Sequence, residues 1–338
     1  MDSVTQITLG SAVGVAVMGR KVPVWKAALW GAVAGTTPDL DVVVDFGDGI
    51  LNMTRHRAES HAIFFLTLLA PVFAAVATWL SADRRLFKRW LLAFWLIFMT
   101  HIGVDYLTVY GTQILQPFTD RAFGLGSIFI IDPLYTLPLF FGLVACLISR
   151  SHKRWRWNTI GLSLSSLYLV WGIGVQQHVQ NVAQASLPEG VSQEAPLLAT
   201  PSALNSILWR VVVVEPDHYH EGWYSLFDEE PVVYWTKHDR RSDLYQAHAS
   251  HPKIKRLGEF THGFFKMSEF DGDIYMTDLR MGFEPTYFFS FNLGKPQADG
   301  SLDPLWVTTQ NGGRPDLERG LPWLIARIQG KTTAPPPQ

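Results

Sequence analysis

The chain has 338 residues, of which 48% are hydrophobic and only 17% charged, against roughly a quarter charged in an ordinary soluble domain. A formal net charge of -2 leaves no basic field of the kind that nucleic acid demands, so nucleic-acid partners are set aside. The lone cysteine, Cys146, excludes an intramolecular disulfide and a cysteine-based zinc site.

Two apolar stretches come first, 3–19 and 24–38. Each is marginal as a membrane span, and their Gly10, Gly14, Ala27, Ala28, Gly31 and Gly35 suit a tight helical hairpin. The start, Met1-Asp2, lacks the basic region of a signal peptide, and Arg20-Lys21 follow the apolar stretch, so 3–19 is expected to be a retained helix. Four longer stretches reach the length needed to cross a bilayer: 61–80, 91–110, 128–148 and 158–177. The loops 81–90 and 149–157 are rich in Arg and Lys, as is the 20–26 turn. If the helices alternate, these loops share the cytoplasmic side. Residues 39–60, 111–127 and everything after about 180 then face outward.

Residues 181–203 read as a linker, and the pattern then changes. Val211–Val214 and Val232-Val233-Tyr234-Trp235 are β-branched and aromatic runs, with turns expected at Asp271-Gly272 and Asp299-Gly300. His218 and His220 share one strand face and are expected at the surface. The fold class is therefore an α-helical multi-pass membrane domain over 1–180 followed by a small, mainly antiparallel β (α+β) extramembrane domain over 204–330. A disordered tail is expected over 331–338. The expected location is the cytoplasmic (inner) membrane, with the C-terminal domain on the outer, periplasmic side.

Three groups of residues carry possible chemistry. Pro38-Asp39-Leu40-Asp41 ends the second apolar stretch with two carboxylates, which alone could be helix-end caps. His56-Arg57-Ala58-Glu59-Ser60-His61 precedes the first long span, and it also fits a plain juxtamembrane loop. His101 and Asp105 lie four apart on one helix face inside an apolar segment. An ionisable group there costs roughly 2.5–3.5 kcal/mol on insertion scales and normally has a partner and a function. With Asp132, all these residues fall at one membrane depth, opposite the basic loops.

His and carboxylate donors suit a divalent metal, with zinc foremost and Mn, Fe or Mg as alternatives. The candidate ligands are Asp39, Asp41, His56, His61, His101 and Asp105, more than the three protein ligands of a catalytic zinc. Either two ions share them, or one ion is held and the remaining residues orient its ligands. A metal lowers the pKa of a water, which points to hydrolysis. Arg57 and Asp132 are the candidate catalytic residues. Arg57 is either a bidentate clamp for a substrate phosphate or carboxylate or an interface arginine, and Asp132 either completes the ligand set or orients one of its members. The alternative is a non-catalytic membrane protein with a structural or transport-related metal site. Polar groups confined to one depth favour a site with an entrance over a transport path.

Taken together, several motifs resemble the family of membrane-bound metal-dependent hydrolases known as DUF457, or YdjM/YfhP-like. They are Asp2-Ser3-Val4-Thr5-Gln6-Ile7-Thr8-Leu9-Gly10, Gly35-Thr36-Thr37-Pro38-Asp39-Leu40-Asp41, His56-Arg57 with Ser60-His61, His101 with Asp105, Tyr110-Gly111-Thr112, Gln116-Pro117-Phe118 and Ile131-Asp132-Pro133. The resemblance covers about residues 1–150. Gln6 stands where many members have His, and Ser60-His61-Ala62 stands where Thr-His-Ser is usual. The resemblance implies a hydrolase of the cytoplasmic membrane. The family in turn looks distantly similar to zinc-dependent phospholipase C and P1-type nucleases, which implies a phosphoester substrate, lipid-linked or drawn from the membrane lipid itself.

Overall fold

The computed structural model describes residues 1–297, 302, 312 and 317–331. Two expectations, the Asp299-Gly300 turn and the tail from residue 332 onward, lie outside the described residues. The chain divides into two compact units. The first takes Met1–Val44, His56–Gly174 and Ala203–Asn205. The second takes Asp45–Arg55, Val175–Ser202 and Ser206–Gln338.

The first unit opens with α1 (Ser3–Met18) and α2 (Val24–Thr36). The expected tight hairpin is present. A Cβ on Gly31 would sit 2.2 Å from the Gly10 carbonyl oxygen, and one on Gly14 would sit 2.6 Å from that of Ala27. Only glycine permits such an approach of two backbones. Ser11 adds a hydrogen bond to the Ala28 carbonyl at 3.0 Å. Pro38, which has no N–H to continue α2, opens a 3-10 turn, Pro38–Val43. The short helix α3 (Gly49–Arg55) follows and belongs to the second unit. A 3-10 turn, Glu59–His61, leads into α4 (Ile63–Ser81), then α5 (Phe87–Tyr106), α6 (Pro133–Ile148) and α7 (Trp155–Ala185).

Among the described residues, three helical stretches are long and apolar enough to cross a membrane: Ile63–Ser81, Arg84–Tyr106 and Trp155–Ala185. The expected fourth, 128–148, is a 16-residue helix, because Asp132 caps it at Leu134 N and Pro133 occupies its first turn. The small side chains Ala70, Ala74 and Ala77 of α4 and the aromatics Trp90, Phe94 and Phe98 of α5 lie in one buried core. The rest of α4 is apolar yet exposed, including Leu68, Val72, Val76, Trp79 and Leu80. A helix that is hydrophobic all round faces lipid or a buried core rather than water.

The second unit is an antiparallel sheet domain. The strands β1 (Leu197–Pro201), β2 (Leu208–Val214), β3 (His218–Ser225) and β4 (Tyr234–Asp239) form a meander in that order. Two short helices, α8 (Ser242–His248) and α9 (Pro252–Phe260), come next. The second sheet contains β5 (Phe265–Phe270), β6 (Asp273–Asp278) and β9 (Ser290–Gly294). A small hairpin, β7 (Gly282–Phe283) with β8 (Thr286–Tyr287), precedes β9 in the chain, and α10 (Leu317–Ile328) is the last helix described.

The β5–β6 turn is Asp271-Gly272, both at positive φ, as that dipeptide favours. The stretch expected as a linker, 181–203, instead holds the end of α7 and strand β1. Ala199 of β1 packs with Val179 and Ala183 in a core also lined by Trp209 and Val211, so apolar burial orders what composition read as a connector. His220, expected at the surface, is buried and pairs with Glu215 at 3.1 Å.

Candidate metal centre

Four side chains of the first unit converge: Asp39, His61, His101 and Asp105. Asp39 comes from the 3-10 turn that Pro38 starts, and His61 from the turn ahead of α4. His101 and Asp105 sit one helical turn apart near the C-terminal end of α5. One donor atom from each lies within 4.8 Å of the others.

The separations are informative. His61 Nε2 lies 3.2 Å from His101 Nε2. Asp39 Oδ1 is 3.3 Å from His61 Nε2 and 3.5 Å from His101 Nε2. Asp105 Oδ2 is 3.3 Å from each imidazole nitrogen. Ligand bonds of about 2.0–2.1 Å in a tetrahedron put donors about 3.3 Å apart. The donor set therefore fits a single small divalent ion.

The far nitrogens settle the tautomers. His101 Nδ1 lies 2.8 Å from the Gly35 carbonyl oxygen, an acceptor only, so this nitrogen donates. His61 Nδ1 is 2.8 Å from Ser60 Oγ, whose hydroxyl donates to Asp41 Oδ2 at 2.6 Å. Each Nε2 thus faces the centre and, once its proton is given up, offers a lone pair there, the arrangement that orients metal-binding histidines.

Asp41 is not among the four. Its Oδ2 stands 3.5 Å from His61 Nδ1, and its Oδ1 is 2.9 Å from His56 Nδ1. It also accepts the Arg57 backbone N–H at 2.9 Å. His56 therefore bonds to Asp41 and meets the cluster edge-on at the His61 ring, with centroids 6.1 Å apart. Burial favours the neutral acids, yet hydrogen bonds to His101 and His61 hold Asp39, and those to His56 and His61 hold Asp41, well below the usual carboxylate range. Burial likewise opposes a charged His61, but Asp105, Asp39 and Asp41 raise it to about 9.

Arg57 is buried. It sits at φ 62, an uncommon conformation for a residue with a side chain. Its guanidinium lies 3.2 Å from Asp105 Oδ1, donates to Thr108 Oγ1 at 3.2 Å, and stands 5.2 Å above the Tyr110 ring. The Met1 main-chain nitrogen contacts the same Asp105 oxygen. Asp132, expected beside the ligands, instead caps α6 and accepts from Tyr168 Oη at 2.8 Å. Its signal was a helix start, since an Asp directly before Pro and an apolar run is a common N-cap. Sequence reasoning assigned no role to the Ser60 hydroxyl, whose only signal was its place beside His61. Gln6 is buried against the His101 carbonyl at 3.4 Å, and among the described residues its Oε1 has no hydrogen-bond partner.

Comparison with known proteins gives the family. The chain is 23% identical over 231 residues to the uncharacterized protein YfhP of Bacillus subtilis, a match spanning 66% of this chain and 68% of that one. No solved structure matches it. The profile of the YdjM inner membrane protein family matches residues 1–179, which include all four clustered residues, and the chain belongs to that family.

Proposed function

We propose that this protein is a membrane-embedded, metal-dependent hydrolase that cleaves a phosphoester, in a membrane lipid or a lipid-linked substrate, at the outer face of the cytoplasmic membrane. The observation that carries the reading is the pair of imidazole Nε2 atoms 3.2 Å apart, with both Nδ1 atoms engaged and two carboxylates beside them. A divalent ion that displaces the proton between the two rings would bind both imidazoles and both carboxylates at once.

Asp39, His61, His101 and Asp105 would hold one divalent ion, zinc foremost, with Mn, Fe or Mg as alternatives. A bound ion of this kind supplies Lewis acidity and brings the pKa of a water to near neutral. The chain's own groups do the rest. Gly35 and the Ser60–Asp41 relay keep the two rings in their metal-ready tautomers. Arg57, together with the Met1 nitrogen, balances the buried Asp105, and its guanidinium is the side chain placed to receive a substrate phosphate. Asp39, the least buried of the four, is the ligand a substrate meets first.

A second reading has support from the same geometry. Four protein donors fill a tetrahedral zinc, as in structural sites. Catalysis then requires a coordination number above four, or release of Asp39. Metal analysis, water relaxation and a substrate screen decide. Purified wild type should carry near-stoichiometric metal, and His61→Ala/His101→Ala should carry almost none. The Mn2+-loaded protein should enhance water proton relaxation and cleave at least one lipid phosphoester, with loss of cleavage on chelation. Equal, low metal in both proteins rejects the metal centre. Stoichiometric metal with no exchangeable water and no cleavage leaves the structural reading.

A further inference from the structure

The metal ligands come from two turns, Pro38–Val43 and Glu59–His61. Residues 45–55, which connect them, do not belong to the unit that holds the ligands. Asp45–Arg55 is part of the C-terminal unit. The chain leaves the ligand unit just after Asp41, passes through the other unit as a strap, and returns at His56.

Within the second unit the strap is firmly built in. Asp48 caps α3, accepting the Ile50 and Leu51 N–H groups at 2.9 and 3.1 Å. Its other oxygen meets Lys253 Nζ of α9 at 2.7 Å, with the Asp48 side chain only 8% exposed. Arg256, also of α9, donates from Nε to Thr54 Oγ1 at 2.5 Å. Ile50, Met53 and Thr54 are buried, as are Ile254 and Leu257 of α9, and α3 packs on α9. The helix thus presents both polar and apolar contacts to one short loop.

At the strap's two ends, Asp41 binds His56 Nδ1, the Arg57 N–H and Ser60 Oγ, at 2.9, 2.9 and 2.6 Å. The second residue after the strap is Arg57, at φ 62. A side-chain-bearing residue persists there only when its surroundings over-determine it. The carboxylate behind His61 and the strained Arg57 therefore lie four residues before and two residues after a loop that α9 holds.

We infer that Lys253 and Arg256 are positioning residues for the metal centre: by gripping the 45–55 strap they keep Asp41 and the His56–His61 segment in register, so the C-terminal unit sets the affinity for metal. This inference rests on the metal-centre reading for its consequence, but the positioning itself is measurable without metal.

The test uses the full chain in detergent, with Mn2+ as the probe. Lys253→Glu and Arg256→Ala break the grip, and Lys253→Arg keeps the charge. Amide hydrogen exchange over 56–62 should rise at least tenfold in the first two variants and stay near wild type in the third. Mn2+ affinity should fall about tenfold in the same pattern, the scale of losing a group that orients a ligand. Wild-type exchange over 56–62 in a folded Lys253→Glu/Arg256→Ala protein overturns the inference, whatever the metal result. Raised exchange with unchanged Mn2+ affinity also overturns it, by cutting the link to the centre. If the wild type itself binds no Mn2+, the metal reading falls and exchange alone judges the positioning. Should Lys253→Glu fail to fold, Lys253→Gln takes its place under the same criteria.

Discussion

The cluster separates four converging donors that fit an ion from the residues that hold those donors in place. His61 and His101 bring their Nε2 atoms to 3.2 Å, whereas Asp41 acts on His61 through Ser60 and by direct approach. Their substitutions should differ in kind. His101→Ala removes a donor and should abolish stoichiometric metal. Asp41→Asn should leave metal bound with about 10–100-fold weaker affinity, the usual cost of disturbing a ligand's support, and titration calorimetry on the two proteins distinguishes the cases. Equal losses would mean that Asp41 is itself a ligand. Of the six expected ligands, four were legible as a cluster because ionisable groups beside or within apolar segments have few structural uses. The supporting roles of Asp41 and His56 were not. A His and an Asp in two nearby loops look the same in sequence whether they meet the ion or each other.

The α1–α2 pair shows what a single atom costs between two helices. Any side chain at Gly31 must displace the Gly10 carbonyl, a backbone atom, so Gly31→Val should destabilise the protein by about 1–3 kcal/mol. Gly103 of α5 has nothing within 4 Å of an added Cβ, and Gly103→Ala should leave stability unchanged or raise it, by up to about 1 kcal/mol, because alanine favours the helix. Thermal unfolding of both variants in detergent checks the contrast. A parallel difference applies to α6. Its apolar stretch reads as long enough to span, yet Asp132 and Pro133 start the helix late and leave it at 16 residues. Hydropathy counts residues, whereas a helix begins where a cap and a proline allow.

For the molecule as a whole, the arrangement of basic loops makes a topological prediction. Cys146 is buried and gives little background for labelling. Cysteines introduced in the 81–90 and 149–157 loops should react with membrane-impermeant maleimide only after the cytoplasm is opened. Cysteines at exposed sites in the sheet unit, such as Tyr234 or Phe270, should react in intact cells stripped of the outer layer. The reverse pattern would place the centre on the cytoplasmic side and change the substrates that reach it.

Composition and periodicity alone determined that the first half is apolar helix, that the second half is antiparallel strand, and that His and Asp residues gather at one end of the helices. These are local matters, since burial of an uninterrupted apolar run and alternation along a strand are written in neighbouring residues. Tertiary structure alone decided which donors converge and that Asp132 is a cap. It also decided that residues 45–55 belong with β strands more than 140 positions away in the chain. Those outcomes depend on which side chains meet after folding. The Asp48–Lys253 pair and the Asp41–Ser60–His61 relay arise from contacts between segments whose own patterns carry no trace of the partner.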